Sequence, residues 1–221
     1  MNDSSSIKTN RTDDIAGGKT GEDWYNDRNA LVDPQTDLPK GDLAQWESVF
    51  KTYFETRLRT RYLEPIRVIK EMDLWHGEGF SIVAIQCSLI EFLQSTVEGK
   101  NYKYKNPQEP YEYNESRAMF KRFLTEQKPF ASTFAEDDFA DDFYTNVRCP
   151  VLHEARTTGG WRIHAGYSSD PLRVTDVTQK IVYRNNFQAG LEQFIAAYGE
   201  RLQTDRDYQA AFIRKFDALA S

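Results

Sequence analysis

Histidine and cysteine are scarce in this chain. Among 221 residues there are three histidines, His76, His153 and His164, and two cysteines, Cys87 and Cys149. Two thiols make neither a zinc ligand set nor a disulfide framework, and free thiols suit a reducing compartment. No His-x-x-x-His pair or cysteine cluster marks a metal, and no Walker-type or dinucleotide glycine loop is present. Neither a metal nor a cofactor is therefore expected. A positive excess is also missing: 28 Lys and Arg stand against 34 Asp and Glu, a net charge of −6. That argues against a protein that coats DNA through bulk charge, while leaving room for a local basic groove. No apolar run approaches the roughly 18 residues of a membrane span. Met1 to Ser6 is polar and has no apolar signal core. The expectation is a cytoplasmic protein without a membrane partner.

Aromatic residues are plentiful, with 14 Phe, 12 Tyr and 4 Trp, so a single domain of this length can build a core. Residues 1–40 have few apolar positions and more acidic than basic residues, and read as a solvated, flexible tail. A docking segment around Trp24-Tyr25 is the alternative. From Asp42 onward the apolar spacing becomes helical: Leu43, Trp46, Phe50, Tyr53, Phe54 and Leu58, with Pro65 expected to end or kink the helix. Further helices are predicted from Gly79 to Val97, from Asn114 to Lys128, from Glu136 to Val147, and from Asn185 or Asn186 through Leu202, with a short terminal helix around Tyr208, Phe212 and Phe216. Trp161 to His164 and Ile181 to Tyr183 read as two short strands, a hairpin with a long connection. The fold class is mainly all-α: one helical-bundle domain over 41–221 with a small two-strand β element.

One segment carries chemistry. Arg148-Cys149-Pro150-Val151-Leu152-His153 sets a fixed cation, with four residues between, before a side chain that titrates near neutral pH. Arginine can hold a phosphate with its planar fork of donors, and histidine can move a proton. In an unbroken helix, five positions rotate by about 500°, so the two side chains would diverge by about 140°. Pro150 has no N–H to donate, and its ring would clash with the Asn146 carbonyl. A helix end near Arg148 and a new start at Pro150 are therefore expected, aiming both side chains into one groove.

This segment resembles the HEPN superfamily, small helical bundles marked by an Arg, four to six residues, then a His. The Arg-Asn-Pro-x-x-His variant differs from Arg148–His153 only at Cys149. Phe143 to Val147 before the motif and Gly159 to Ile163 after it are also similar to bacterial members, and the resemblance covers about 75–203. It implies a metal-independent endoribonuclease acting as a homodimer with a composite cleft. Arg148 would hold the scissile phosphate and His153 would transfer protons while the ribose 2′-hydroxyl attacks, leaving a 2′,3′-cyclic phosphate. RNA would be the substrate, and phage defence or a toxin-like stress response the setting. Cys149 departs from the polar residue usual at that place. Ala155 stands where members silenced by nucleotide transfer carry Tyr. A catalytically inactive bundle that binds RNA, a nucleotide or a partner protein is the alternative, as is a structural role in which Arg148 and His153 pair with Asp141, Asp142 or Glu154.

Cys149, Asn146 and Glu154 are the supporting candidates around the motif. Lys103 and Lys105, interleaved with Tyr102 and Tyr104, are candidates for RNA contact, as are Arg117 and Lys121. A solvated loop explains the first pair equally. Arg57, Arg59, Arg61 and Arg67 scatter around their helix, and most of them read as surface charges. His76 and His164 read as structural. A Cys149–His153 nucleophilic pair lacks an orienting third residue.

Overall fold

The computed structural model describes residues 13–72, 77–170 and 173–221. The architecture is mainly helical with small sheets. A long helix over 43–71 is followed by helices Glu78–Glu98, Ser116–Glu126, 137–154, Arg184–Leu202 and Arg206–Leu219. Helix Glu78–Glu98 lies at the centre and packs against each of the other four that follow it and the end of the long helix. Ile82, Val83, Leu89, Ile90 and Leu93 are buried there. By length and composition this helix could cross a membrane, contrary to the expectation that no segment approaches that length. Gln86, Ser88, Glu91 and Gln94 interrupt its apolar run, which hides the stretch from a scan for unbroken apolar sequence. Gly99 ends it in the left-handed conformation at φ 63°, backed so closely by Ala211 that a side chain would clash.

The solvated-tail reading fails for the described part of 1–40, and residues 1–12 lie outside the described residues. Asp14–Ala16 pairs with Lys19–Thr20, and Thr20 caps helix Gly21–Arg28 through a reciprocal bond with Asp23. Trp24 is fully buried, 0 % exposed, among Tyr53, Phe212 and Phe216. Its indole N–H donates to Asp217, which Arg28 also holds at 2.8 Å. Ile15, Ala16, Trp24, Leu31 and Val32 are buried, while Leu38 stays exposed, and polar side chains help tie the segment down. The docking alternative thus holds within the chain itself.

Neither interior proline breaks its helix. Helix 43–71 runs through Pro65, and helix 137–154 runs through Pro150. Each proline follows a π-helical turn, Arg59–Leu63 and Tyr144–Arg148, in which Glu64 and Cys149 donate to carbonyls five residues back. The wider turn makes room where the ring would strike the carbonyl four residues back. Pro150 still leaves the Asn146 carbonyl without its helical donor. The Thr158 N–H takes it at 2.8 Å, from the turn after the helix. Cys149 keeps helical angles, φ −66° and ψ −51°, against the usual bias before proline.

The expected two-strand hairpin is also corrected. Arg162–His164 and Ile181–Tyr183 do pair, but in parallel, and Thr175–Asp176 joins Ile181–Tyr183 antiparallel as a third strand. A parallel pair needs a long crossover, which the 165–180 connection supplies. The C-terminal helix is anchored by Lys215, 5 % exposed, whose ammonium donates to Ser95 Oγ and the Lys100 carbonyl.

Candidate functional site

Helix 137–154 presents two polar faces. On one, Asp142 and Asn146 stand a turn apart. Asn146 donates to Asp142 at 2.7 Å and accepts from Thr158 at 2.8 Å, and Asp142 accepts from the Trp161 indole at 2.8 Å. Lys180 reaches the same carboxylate at 3.3 Å. Gly159, at φ 59°, lies against the Asn146 amide so closely that a Cβ would sit 2.6 Å from it. Asn146 therefore pins the 157–161 turn to the helix; its amide is committed to that task and not to a supporting role beside Arg148.

The other face carries Arg148. Its guanidinium lies 3.7 Å from the Glu91 carboxylate and over the Tyr144 ring at 5.1 Å, with the side chain 18 % exposed. Glu91 also accepts from the Tyr113 hydroxyl at 3.1 Å and the Ser116 hydroxyl at 2.8 Å. The partner of Arg148 is thus a carboxylate on the central helix, not Asp141, Asp142 or Glu154. Cys149 is a half-buried free thiol. Burial pushes the Tyr144 hydroxyl above its ordinary value against the opposing pull of Arg148. Burial likewise pushes the Cys87 thiol up to about 12, with Arg148 and Cys149 both near enough to be felt.

His153 is exposed near the end of the same helix and makes no hydrogen bond or ion pair among the described residues. Because the helix is continuous, the proline break expected to aim Arg148 and His153 into one groove is absent, and ideal α-helical spacing over five positions would set the two side chains about 140° apart around the axis. Glu154 is held by Arg156 at 2.6 Å.

The RNA-contact candidates separate. Arg117 forks onto Asp141, Lys121 joins that carboxylate at 3.2 Å, and Lys103 meets Glu112 at 2.8 Å. The Arg117 hydrogen bonds, ahead of its charge, hold the Asp141 carboxyl below the ordinary carboxylate range. Lys105 has no carboxylate partner among the described residues and lies 6.0 Å from the Tyr104 ring. Of the arginines on the long helix, Arg57 and Arg61 donate to the carbonyls of Ile15 and Asp14, so they fasten the N-terminal segment and are not idle surface charges. His164 accepts from the Gly166 N–H at 3.1 Å and stacks edge-on with Tyr183. His76 lies outside the described residues. Among the described residues, no group of three or more His, Cys, Asp or Glu side chains is gathered as for a metal.

Sequence reasoning missed Glu91, Tyr144 and Tyr113. The available signal was a lone carboxylate, Glu91, inside an otherwise apolar helical stretch, since a half-buried acid needs a cation or donors. Compared with known proteins, the chain matches no family model, no curated protein and no solved structure.

Proposed function

We propose that this chain is a HEPN-type endoribonuclease that needs no metal and completes its site with a second copy of itself. The observation that carries the reading is the division of labour along helix 137–154. A restrained guanidinium at the rim is paired with an exposed, unpartnered imidazole five positions on. Divergence by about 140° prevents one chain from closing both groups on one phosphate. A two-fold pair of chains resolves this, with Arg148 from one copy facing His153 from the other.

In that pairing Arg148 holds the scissile phosphate and stabilises its growing negative charge. Glu91 and Tyr144 keep the guanidinium from folding away. The ribose 2′-hydroxyl attacks phosphorus, with His153 moving a proton, and the 5′-oxygen leaves. The products are a 2′,3′-cyclic phosphate and a 5′-hydroxyl end. DNA, lacking the nucleophile, is inert. Cleavage of cellular or phage RNA in defence or stress is the biological setting that this chemistry suits.

A second reading is a silent bundle that binds RNA, a nucleotide or a partner protein. The hold of Glu91 on Arg148 favours it, because a neutralised guanidinium is a weaker phosphate ligand.

The test is cleavage of single-stranded RNA in EDTA by the purified protein and by Arg148→Ala and His153→Ala. The expected result is cyclic-phosphate product from the parent and none from either variant. Mixing the two variants should restore about a quarter of the parent rate, because only mixed dimers hold one intact composite site. Cleavage that survives both substitutions removes the assignment. RNA binding without any cleavage by the parent establishes the silent bundle instead.

A further inference from the structure

We propose that the segment 101–113 is a stacking platform for the unpaired bases of single-stranded RNA, joined by direct contacts to the Arg148 cluster. This deepens the reading above, on which it rests for RNA as the partner, and its test separates the two. Tyr102, Tyr104 and Tyr111 are 54 %, 74 % and 50 % exposed. A merely solvated loop would lay its rings on the bundle, as Tyr113 is laid; here one short segment leaves three of them to solvent.

The segment is braced, so the rings are presented on a fixed backbone. Asn101–Tyr102 pairs in parallel with Glu112–Tyr113, and the Lys103 N–H extends that ladder to the Tyr113 carbonyl at 2.8 Å. Glu112 ties the turn from inside: its carboxylate accepts from the Gln108 N–H at 2.7 Å and meets the Lys103 ammonium at 2.8 Å. Rings held in place lose little freedom when a base stacks on them. Arg214 backs Tyr111, its guanidinium carbon 4.6 Å from the ring centre, and half of Tyr111 still faces solvent.

The charges select the partner. The carboxylates of the segment are committed, Glu112 to Lys103 and Glu109 to Lys100 at 3.6 Å. Lys105 is exposed, has no carboxylate partner among the described residues, and lies 6.0 Å from the Tyr104 ring. The charge left over is therefore positive and stands beside the most exposed ring. A proline-rich peptide packs on tyrosines but gains nothing from that ammonium. An acidic peptide meets the ammonium but gains little from flat rings. Single-stranded RNA uses both, since its bases stack and its phosphates pair with lysine. Position agrees with this choice. The Tyr102 ring lies edge-on to Tyr113 at 5.7 Å, the Tyr113 hydroxyl donates to Glu91 at 3.1 Å, and Glu91 lies 3.7 Å from Arg148. Three contacts thus link the platform to the guanidinium proposed to hold the scissile phosphate.

The experiment is fluorescence anisotropy of the full chain, in EDTA, with a labelled single-stranded RNA whose riboses are 2′-O-methylated, so that binding is read without cleavage. Saturable binding is expected, and the same strand in a duplex should bind at least about tenfold more weakly, because its bases already stack on one another. Tyr102→Ala and Tyr104→Ala should each weaken the single strand about tenfold. Tyr104→Phe, which keeps the ring, should bind like the parent. Lys105→Ala should reduce the slope of log affinity against log salt by about 0.7, one phosphate contact. Binding that needs both rings, with no cleavage of unmodified RNA, keeps the platform and removes the nuclease reading. Cleavage of unmodified RNA, with affinity unchanged in both alanine variants, does the reverse. No saturable binding of the RNA by the parent, or an oligoproline peptide bound in its place, overturns the platform.

Discussion

Arg148 and Lys215 both pack against helix Glu78–Glu98, and they are housed in opposite ways. Arg148 meets a carboxylate, Glu91, at 3.7 Å and keeps 18 % of its side chain in contact with solvent. Lys215, about one turn further along, meets only neutral oxygens among the described residues, Ser95 Oγ at 2.8 Å and the Lys100 carbonyl at 2.9 Å. It also lies 5.4 Å from the Phe92 ring, which Arg57 covers at 5.3 Å. Burial, reinforced by Arg57 and opposed by Glu91, lowers the Lys215 ammonium to about 8. The difference teaches what each position is for. A cation with a carboxylate and a solvent edge keeps its charge and can exchange partners with an incoming anion. A cation buried against neutral oxygens serves as an anchor and weakens the fold while it remains charged.

Glu91→Ala breaks the comparison at its centre, because that carboxylate serves Arg148, Tyr113 and Ser116 together. A loss of roughly 3–4 kcal/mol is expected in urea unfolding. A loss below 1 kcal/mol would show that the cluster is not a stabilising unit. Lys215 gives the next effect through pH. Its folded value of about 8 lies below the ordinary unfolded value of roughly 10.4. Below pH 8 both states hold the proton and the buried charge destabilises the fold. Between about 8 and 10.4 the folded state releases the proton first, so stability rises with pH, then levels. The rise is on the order of 2–3 kcal/mol. Lys215→Met should lack it, as the difference between parent and variant unfolding curves at pH 7.5 and 10.5 would reveal; parallel curves would refute the anchor.

Smaller effects test the two faces of helix 137–154. Asn146→Ala should cost roughly 1–2 kcal/mol by releasing the 157–161 turn, and proteolysis near Gly159 should accelerate. Unchanged cleavage there would contradict the pinning role. His153→Ala should alter stability by less than about 0.5 kcal/mol, since its side chain is exposed and unbonded. A larger drop in melting temperature would assign His153 to the scaffold and not to chemistry.

Much of the helical framework was legible. Ile82, Leu89 and Leu93 mark the central helix by spacing, Gly99 marks its end, and Phe187, Leu191, Phe194 and Leu202 mark the later one. The N-terminal segment was misread because composition averages over residues, whereas burial needs only a few. Trp24 fills a socket formed by Tyr53 and Phe216, residues remote in sequence. Pro150 was misread, and Pro65 does not end its helix, because the rule for proline assumes an α-helical turn before the ring. Both are preceded by π turns, and at Pro150 the donor that relieves the freed carbonyl comes from Thr158. The motif residues were legible as a pair, but their geometry was inferred from a break that does not occur.

Local chemistry by itself determined where helices form along most of this chain, and which guanidinium and imidazole share one of them. Spacing of apolar side chains and the backbone freedom of glycine act within a few residues and need no partner. Tertiary contact alone decided that Glu91 holds Arg148, that Thr158 lets a helix pass through Pro150, and that the polar N-terminal segment folds onto the C-terminal helix. Each of those outcomes depends on a donor, acceptor or ring arriving from a distant part of the chain, and burial is what makes leaving such a group unpaired costly.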